Sequence, residues 1–240
     1  MPELDGPEQN GPGQRGPAGF WRPAALSALG LQVLSLFLTA GYHFARAQTD
    51  AGDAEWLNAG HDLLTGILTL WWTMLLARLT LGRGLVLNSY LDRVRRALKY
   101  TFPLLTAFRG VLWGLTALAL ASGAASQANP VAVTAMMTIW GASIAASYMT
   151  FFWVVRWGEL GPERAAPARR QLEDWLNLAA ALSLGMTVIN VVPIAGFSAA
   201  PSQTDQLIFG STGLLDVAAT LLALQAVRLT RLPEAEARSG

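Results

Sequence analysis

Two ionisable residues sit where charge is expensive. Asp216 falls near the middle of the apolar run 207–229 and Arg109 lies inside the run 103–123. Charge within a bilayer persists where it meets a partner, a water-filled cavity or a transported ion. Asp216 is the more demanding of the two. Arg109 is only about 9 Å above Pro103 by helical rise, so its long side chain can snorkel toward the nearer interface, a reach that Asp lacks. If the third and sixth runs are neighbours, Arg109 can extend to Asp216, either as a static ion pair or as part of a substrate or proton path. Gln32 and Asn190 lie at similar depth. They join Asp216 and Arg109 as substrate-binding candidates, with interhelical hydrogen bonding as the alternative use of an amide in lipid.

The two histidines, His43 and His61, fall at the end of the first apolar run and just before the second. Imidazoles on adjacent helices can ligate a haem iron or a divalent metal, which makes them weak candidates for a metal site. Otherwise they are interfacial residues. Asp50, Asp53 and Glu55 between them could attract a cation, but they lack the spacing of a calcium loop. No cofactor is expected on other grounds. The chain has no cysteine, hence no disulfide or thiolate site, no His-Glu-x-x-His zinc motif and no phosphate-binding P-loop. Gly141-Ala142-Ser143 resembles the Gly-x-Ser motif of rhomboid proteases, but no histidine follows it, so the resemblance fails. The expectation is a protein without catalytic activity.

The elements that must position these residues are transmembrane helices. The 240 residues are 52% hydrophobic and 14% charged, too apolar for an ordinary soluble domain. Runs at about 24–44, 63–81, 103–123, 131–155, 176–197 and 207–229 each cover or nearly cover a hydrocarbon core of about 30 Å at roughly 1.5 Å per residue. They are apolar on all sides, as in residues 63–76, and so do not alternate as barrel strands do. An all-α bundle of about six spans is therefore expected over 23–231, between a disordered tail at 1–22, too polar to repay ordering, and a short tail at 232–240.

Arg and Lys fix the orientation. Arg15 and Arg22 precede the first span. Arg78, Arg83, Arg93, Arg95, Arg96 and Lys99 follow the second, and Arg156, Arg164, Arg169 and Arg170 follow the fourth. Arg228, Arg231 and Arg238 follow the last, and the opposite side receives only Arg46. The positive-inside rule then puts both termini in the cytoplasm of a cell-membrane protein. Arg22, the apolar run after it and Ala45-Arg46-Ala47 also read as a signal peptide cleaved after Ala47, although the run is long for one and contains Gln32.

Leu87, Leu91, Val94 and Leu98 recur at helical spacing opposite Arg93, Arg95, Arg96 and Lys99, and Ser89 three residues before Asp92 resembles a capping box. This predicts an amphipathic helix over about 85–100 on the cytoplasmic surface, its cations meeting anionic lipid headgroups or a partner protein, with a solvated connector as the alternative. Gly141, Ala142, Ser143, Ala145, Ala146 and Ser147 form a small-residue face for close helix packing, and the expected partners, besides lipid, are another membrane protein or further copies in a homo-oligomer. Nine tryptophans divide between interfacial positions (Trp21, Trp56, Trp157, Trp175) and positions within or near the spans (Trp71, Trp72, Trp113, Trp140, Trp153). The endings Arg78-Leu79-Thr80, Arg156-Trp157 and Arg228-Leu229-Thr230 suggest three helical hairpins in series, or simply arginine at inner ends.

The reading that gathers most of these features is a small-solute transporter, or the membrane subunit of one, with a polar site near the midplane. Gly185 and Pro193 would loosen spans along a path. Six spans with cytoplasmic termini resemble the substrate-binding subunits of energy-coupling-factor transporters, in architecture rather than in any motif. A non-catalytic scaffold is the alternative, and a haem or metal redox subunit the third. Nothing points to nucleic acid.

Overall fold

The structure, a computed structural model, describes residues 18–49, 53–81, 88–123, 129–160, 162–192 and 202–230. It consists of six helices: α1 (Ala18–Thr49), α2 (Asp53–Leu81), α3 (Asn88–Ala121), α4 (Pro130–Glu159), α5 (Pro162–Val191) and α6 (Gln203–Arg228), with no strand among the described residues. All six are long and apolar enough to cross a membrane.

Successive helices pair as hairpins, and α6 packs back on α1, so the six close into a ring in which α2 also touches α4. Small residues set the close approaches. A Cβ at Gly66 of α2 would lie 3.0 Å from the Phe37 ring of α1, one at Gly141 of α4 would lie 3.1 Å from the Trp113 indole of α3, and one at Gly185 of α5 would lie 3.1 Å from Ile139 of α4. Gly185 therefore serves tight α4–α5 packing, while Pro193 lies outside the described residues. At Gly213 of α6 the space is already filled, because a Cβ there would lie 2.2 Å from Thr187 Oγ1 of α5.

The ends of the ring differ. At the end where α1 begins and α6 finishes, side chains from all six helices form the core. Leu29, Leu68, Leu76, Leu98, Leu172, Leu176, Val154 and Val227 are almost completely buried there, and the Phe102 and Phe151 rings stack. Trp157, expected at an interface, is buried in this cluster. Its indole is more apolar surface than the bundle end can leave unpacked.

The segment expected as a separate interfacial helix is a correction. Residues 88–100 are the first turns of α3, which runs unbroken through Pro103. Leu91, Val94, Leu98, Phe102 and Leu105 continue one buried stripe on both sides of the proline, so the apolar face turns into the bundle rather than toward lipid headgroups. That shared burial outweighs the backbone bond to the Lys99 carbonyl that Pro103 cannot donate. Asp92 pairs with Arg78 and Arg95 at 3.5 and 3.6 Å instead of closing a capping box. Arg95 also donates to the Gly158 carbonyl at 2.9 Å, and Lys99 pairs with Glu159 at 3.2 Å, both tying α3 to the end of α4. Arg93 and Arg96 remain exposed. The capping box occurs instead on α6, where Ser202 and Asp205 bond reciprocally. Asn129 caps α4, with Pro130 at its first position.

Candidate functional site

Toward the opposite end the ring is open and encloses a cavity of about 670 Å³ lined from all six helices. Its walls carry regularly spaced polar side chains. Asp216 and Thr212 come from α6, and Ser183, Thr187 and Asn190 from α5. Ser143 and Ser147 come from α4, Arg109 from α3, His61, Thr65 and Thr69 from α2, and Gln32 and Thr39 from α1. The sets on α2, α4, α5 and α6 recur at three- or four-residue intervals, and Gln32 and Thr39 on α1 are two turns apart, spacings that place side chains on one helix face. Leu29, Leu68, Trp72, Phe102, Leu105 and Leu176, all part of the buried core or packed on it, close the floor.

The four substrate-binding candidates, Asp216, Arg109, Asn190 and Gln32, all line this cavity, together with His43 and His61. The pairing of Arg109 with Asp216, which required the third and sixth spans to be neighbours, does not form among the described residues. The reason lies in the ring: α3 packs on α2 and α4, whereas α6 packs on α1 and α5, so the two charges face each other across the cavity. Their fields still act on one another over that gap. Asp216 accepts a hydrogen bond from Gln32 Nε2 of α1, and the Ser183 hydroxyl of α5 is also within its reach. Asp216 is about 16 Å below Asp205 by helical rise, in the middle of its helix.

Arg109 is held by neutral groups. Its Nε donates to His61 Nε2 at 2.8 Å, its Nη2 to Thr65 Oγ1 at 2.8 Å, and its Nη1 approaches Ser147 Oγ at 3.5 Å. The guanidinium has three partners yet forms no ion pair among the described residues. Arginine only donates, so His61 Nε2 must present its lone pair and the ring proton sits on Nδ1. That Nδ1 faces Asp62 Oδ1 at 3.0 Å.

From Asp62 a chain of polar contacts runs to the mouth. The other carboxylate oxygen of Asp62 is 3.7 Å from His43 Nε2, and His43 Nδ1 bonds Glu55. Glu55 pairs with Arg46 at 3.3 Å, and Arg46 pairs with Asp205 at 3.0 Å. Tyr42 also donates to Asp205 at 2.8 Å, and the His43 ring stacks on Phe209. Arg46 thereby clasps α1, α2 and α6 together at this end. His43 and His61 are brought near each other, as their positions suggested, but they share a carboxylate. Every ring nitrogen of the pair faces a side chain, and no group of three or more metal-ligating side chains is arranged for a metal among the described residues.

Sequence reasoning missed Thr65, Ser147, Ser183, Thr187 and the bridging Asp62. Their signal was present as helical spacing: His61, Thr65 and Thr69 on one helix, Ser183, Thr187 and Asn190 on another. The small-residue face of α4 divides its work, with Gly141 receiving Trp113, Ala146 buried and Ser143 and Ser147 turned to the cavity. Two indoles satisfy their N–H groups between helices, Trp72 on the Thr150 carbonyl at 3.4 Å and Trp113 on the Met137 carbonyl at 2.8 Å.

The architectural resemblance to transporter subunits stays at the level of helix number, since no family model, curated protein or solved structure matches this chain.

Proposed function

We propose that this chain is a small-solute transporter, or the membrane subunit of one, and that its solute occupies the cavity between Arg109 and Asp216. The observation that carries the reading is the placement of the two charges. Each faces the same polar cavity and neither is neutralised by the other. A half-buried cation and anion kept apart by a space of about 670 Å³ suit a small polar ligand carrying an anionic group for Arg109. Arg109 would offer it charge-assisted hydrogen bonds, and Asp216 would select a donor or cation at its other end. The positive-inside pattern along the chain supports a packed end toward the cytoplasm and an open end outward, and on this reading the conformation is an outward-open one in a cell membrane. The exposed Arg93 and Arg96 at the cytoplasmic end suit anionic lipid headgroups.

A second reading has an observation of its own. Both charges already hydrogen-bond neighbouring helices, as they would in a scaffold whose polar groups only fix packing. A thermal-shift screen of the purified protein against organic acids, amines and amino acids separates the two, because a ligand of the folded state raises apparent stability, by about 2.7 kcal/mol at a hundredfold excess over Kd. Transport requires at least one solute that stabilises the protein and loses that effect in Asp216→Asn. A screen without any hit, with Asp216→Asn merely less stable, favours the scaffold.

A further inference from the structure

We infer that His61 is a proton-binding site linked to Arg109, so that a carboxylate-bearing solute and a proton enter the cavity together. The solute half of this inference rests on the cavity reading; the proton half rests on the histidine geometry alone. While Arg109 Nε donates to His61 Nε2 at 2.8 Å, that nitrogen has no room for a proton, since two N–H groups would face each other. A solute carboxylate in the cavity offers the guanidinium a charged acceptor in place of a neutral ring and draws it off. His61 Nε2 is then bare, inside the cavity, and backed by a carboxylate.

The charges balance. A solute entering as its neutral acid gives its O–H proton to Nε2, and its carboxylate takes the Arg109 guanidinium. The resulting imidazolium keeps its Nδ1–H on Asp62 at 3.0 Å. The cavity thus gains an anion and a cation as two ion pairs, with no net charge brought into the bilayer, where an uncompensated charge is costly.

The groups facing His61 come from each neighbouring element. Asp62 stands on its own helix, with Glu55 further toward the mouth. From α1, His43 approaches through Asp62, and Arg46 holds Glu55. Arg109 comes from α3, while α4 offers only the neutral Ser147. Across the cavity, α6 presents Asp216, with Asp205 at the mouth, and α5 contributes neutral side chains.

The test uses the full chain in lipid nanodiscs with 15N-labelled histidine. With only two histidines in the chain, His43→Gln assigns both sets of signals. In the wild type, without any solute, His61 should show a protonated Nδ1 and a bare Nε2. In Arg109→Met the Nε2 signal should move to the protonated position, and Asp62→Asn on that background should suppress the move. A wild-type Nε2 that carries the proton, or identical spectra in the wild type and Arg109→Met, overturns the proposal. Should Arg109→Met fail to fold, Arg109→Gln is read the same way, and the wild-type tautomer alone can still refute it. Because no solute is present, failure here leaves the solute reading standing, and an empty solute screen leaves these spectra unchanged.

Discussion

Replacing Gly213 by alanine tests the packing that aims Asp216 into the cavity. A Cβ at this position would lie 2.2 Å from Thr187 Oγ1, 2.8 Å from its Cγ2 and 2.9 Å from its Cβ. Turning the Thr187 side chain removes the first two clashes but not the third, and it gives up the 2.7 Å hydrogen bond from Oγ1 to the Ser183 carbonyl. Either the rotamer or the α5–α6 spacing must yield, at about 1–3 kcal/mol for overpacking of this kind. Alanine also gains roughly 1 kcal/mol over glycine in helix propensity, which would mask part of the loss. Gly210→Ala supplies the control. It lies on the same helix with the same propensity gain, and its Cβ would meet Val191 Cγ1 at an ordinary 3.5 Å. The two variants should therefore differ by about 1–3 kcal/mol in unfolding free energy, with Gly213→Ala the less stable, read by denaturation in detergent and followed by circular dichroism. Adding Thr187→Ala should recover part of the difference, because it removes Oγ1 and Cγ2 but leaves the 2.9 Å contact. Equal stability of the two glycine variants would refute this account of α5 and α6.

Three other outcomes follow from the same packing. Arg109→Met forfeits two good interhelical hydrogen bonds, each worth about 0.6 kcal/mol in a membrane, while removing from the cavity wall a cation that forms no ion pair among the described residues. Unfolding measurements should show a change of no more than about 1 kcal/mol, and solute stabilisation should vanish. Arg46→Met opens the clasp to Glu55 and Asp205. Because Arg46 is 41% exposed, each lost pair should cost only about 0.2–1 kcal/mol, and the difference from wild type should shrink in high salt. Leu172→Ala, at a fully buried position of the packed-end core, should cost about 2–5 kcal/mol in the same assay, while Leu118→Ala, at an exposed position on the outside of the ring, should cost far less.

The helices were legible because lipid demands long, internally bonded apolar segments, and the runs around Leu68, Val154 and Leu224 announce themselves by hydropathy alone. Asp216, Arg109, Gln32 and Asn190 were legible for the converse reason, since each interrupts such a run. Which helices touch was not legible: hydropathy marks depth and says little about azimuth, so a pairing of Arg109 with Asp216 stayed conditional on adjacent helices, and a cavity separates the two. The apolar stripe from Leu91 to Leu98 shows the same gap. Its periodicity correctly marks a helix with one apolar face, but lipid headgroups and a protein core satisfy that face equally in sequence. The continuation through Phe102 and Leu105, beyond Pro103, was the clue that it belongs to the bundle. Asp62 escaped notice as one acid in an acidic loop, because its link to both histidines arises only when α1 and α2 pack.

The claim on which the rest depends is that Arg109 and Asp216 face a water-filled cavity and not lipid or sealed core. Since the chain has no cysteine, single cysteines can be placed in an otherwise silent background and exposed to a charged, membrane-impermeant thiol reagent in oriented vesicles. Ser143→Cys and Ser183→Cys on the cavity wall should react from the outer side, whereas Leu172→Cys in the core and Leu118→Cys toward lipid should not. Protection of both cavity positions in folded protein would contradict the account.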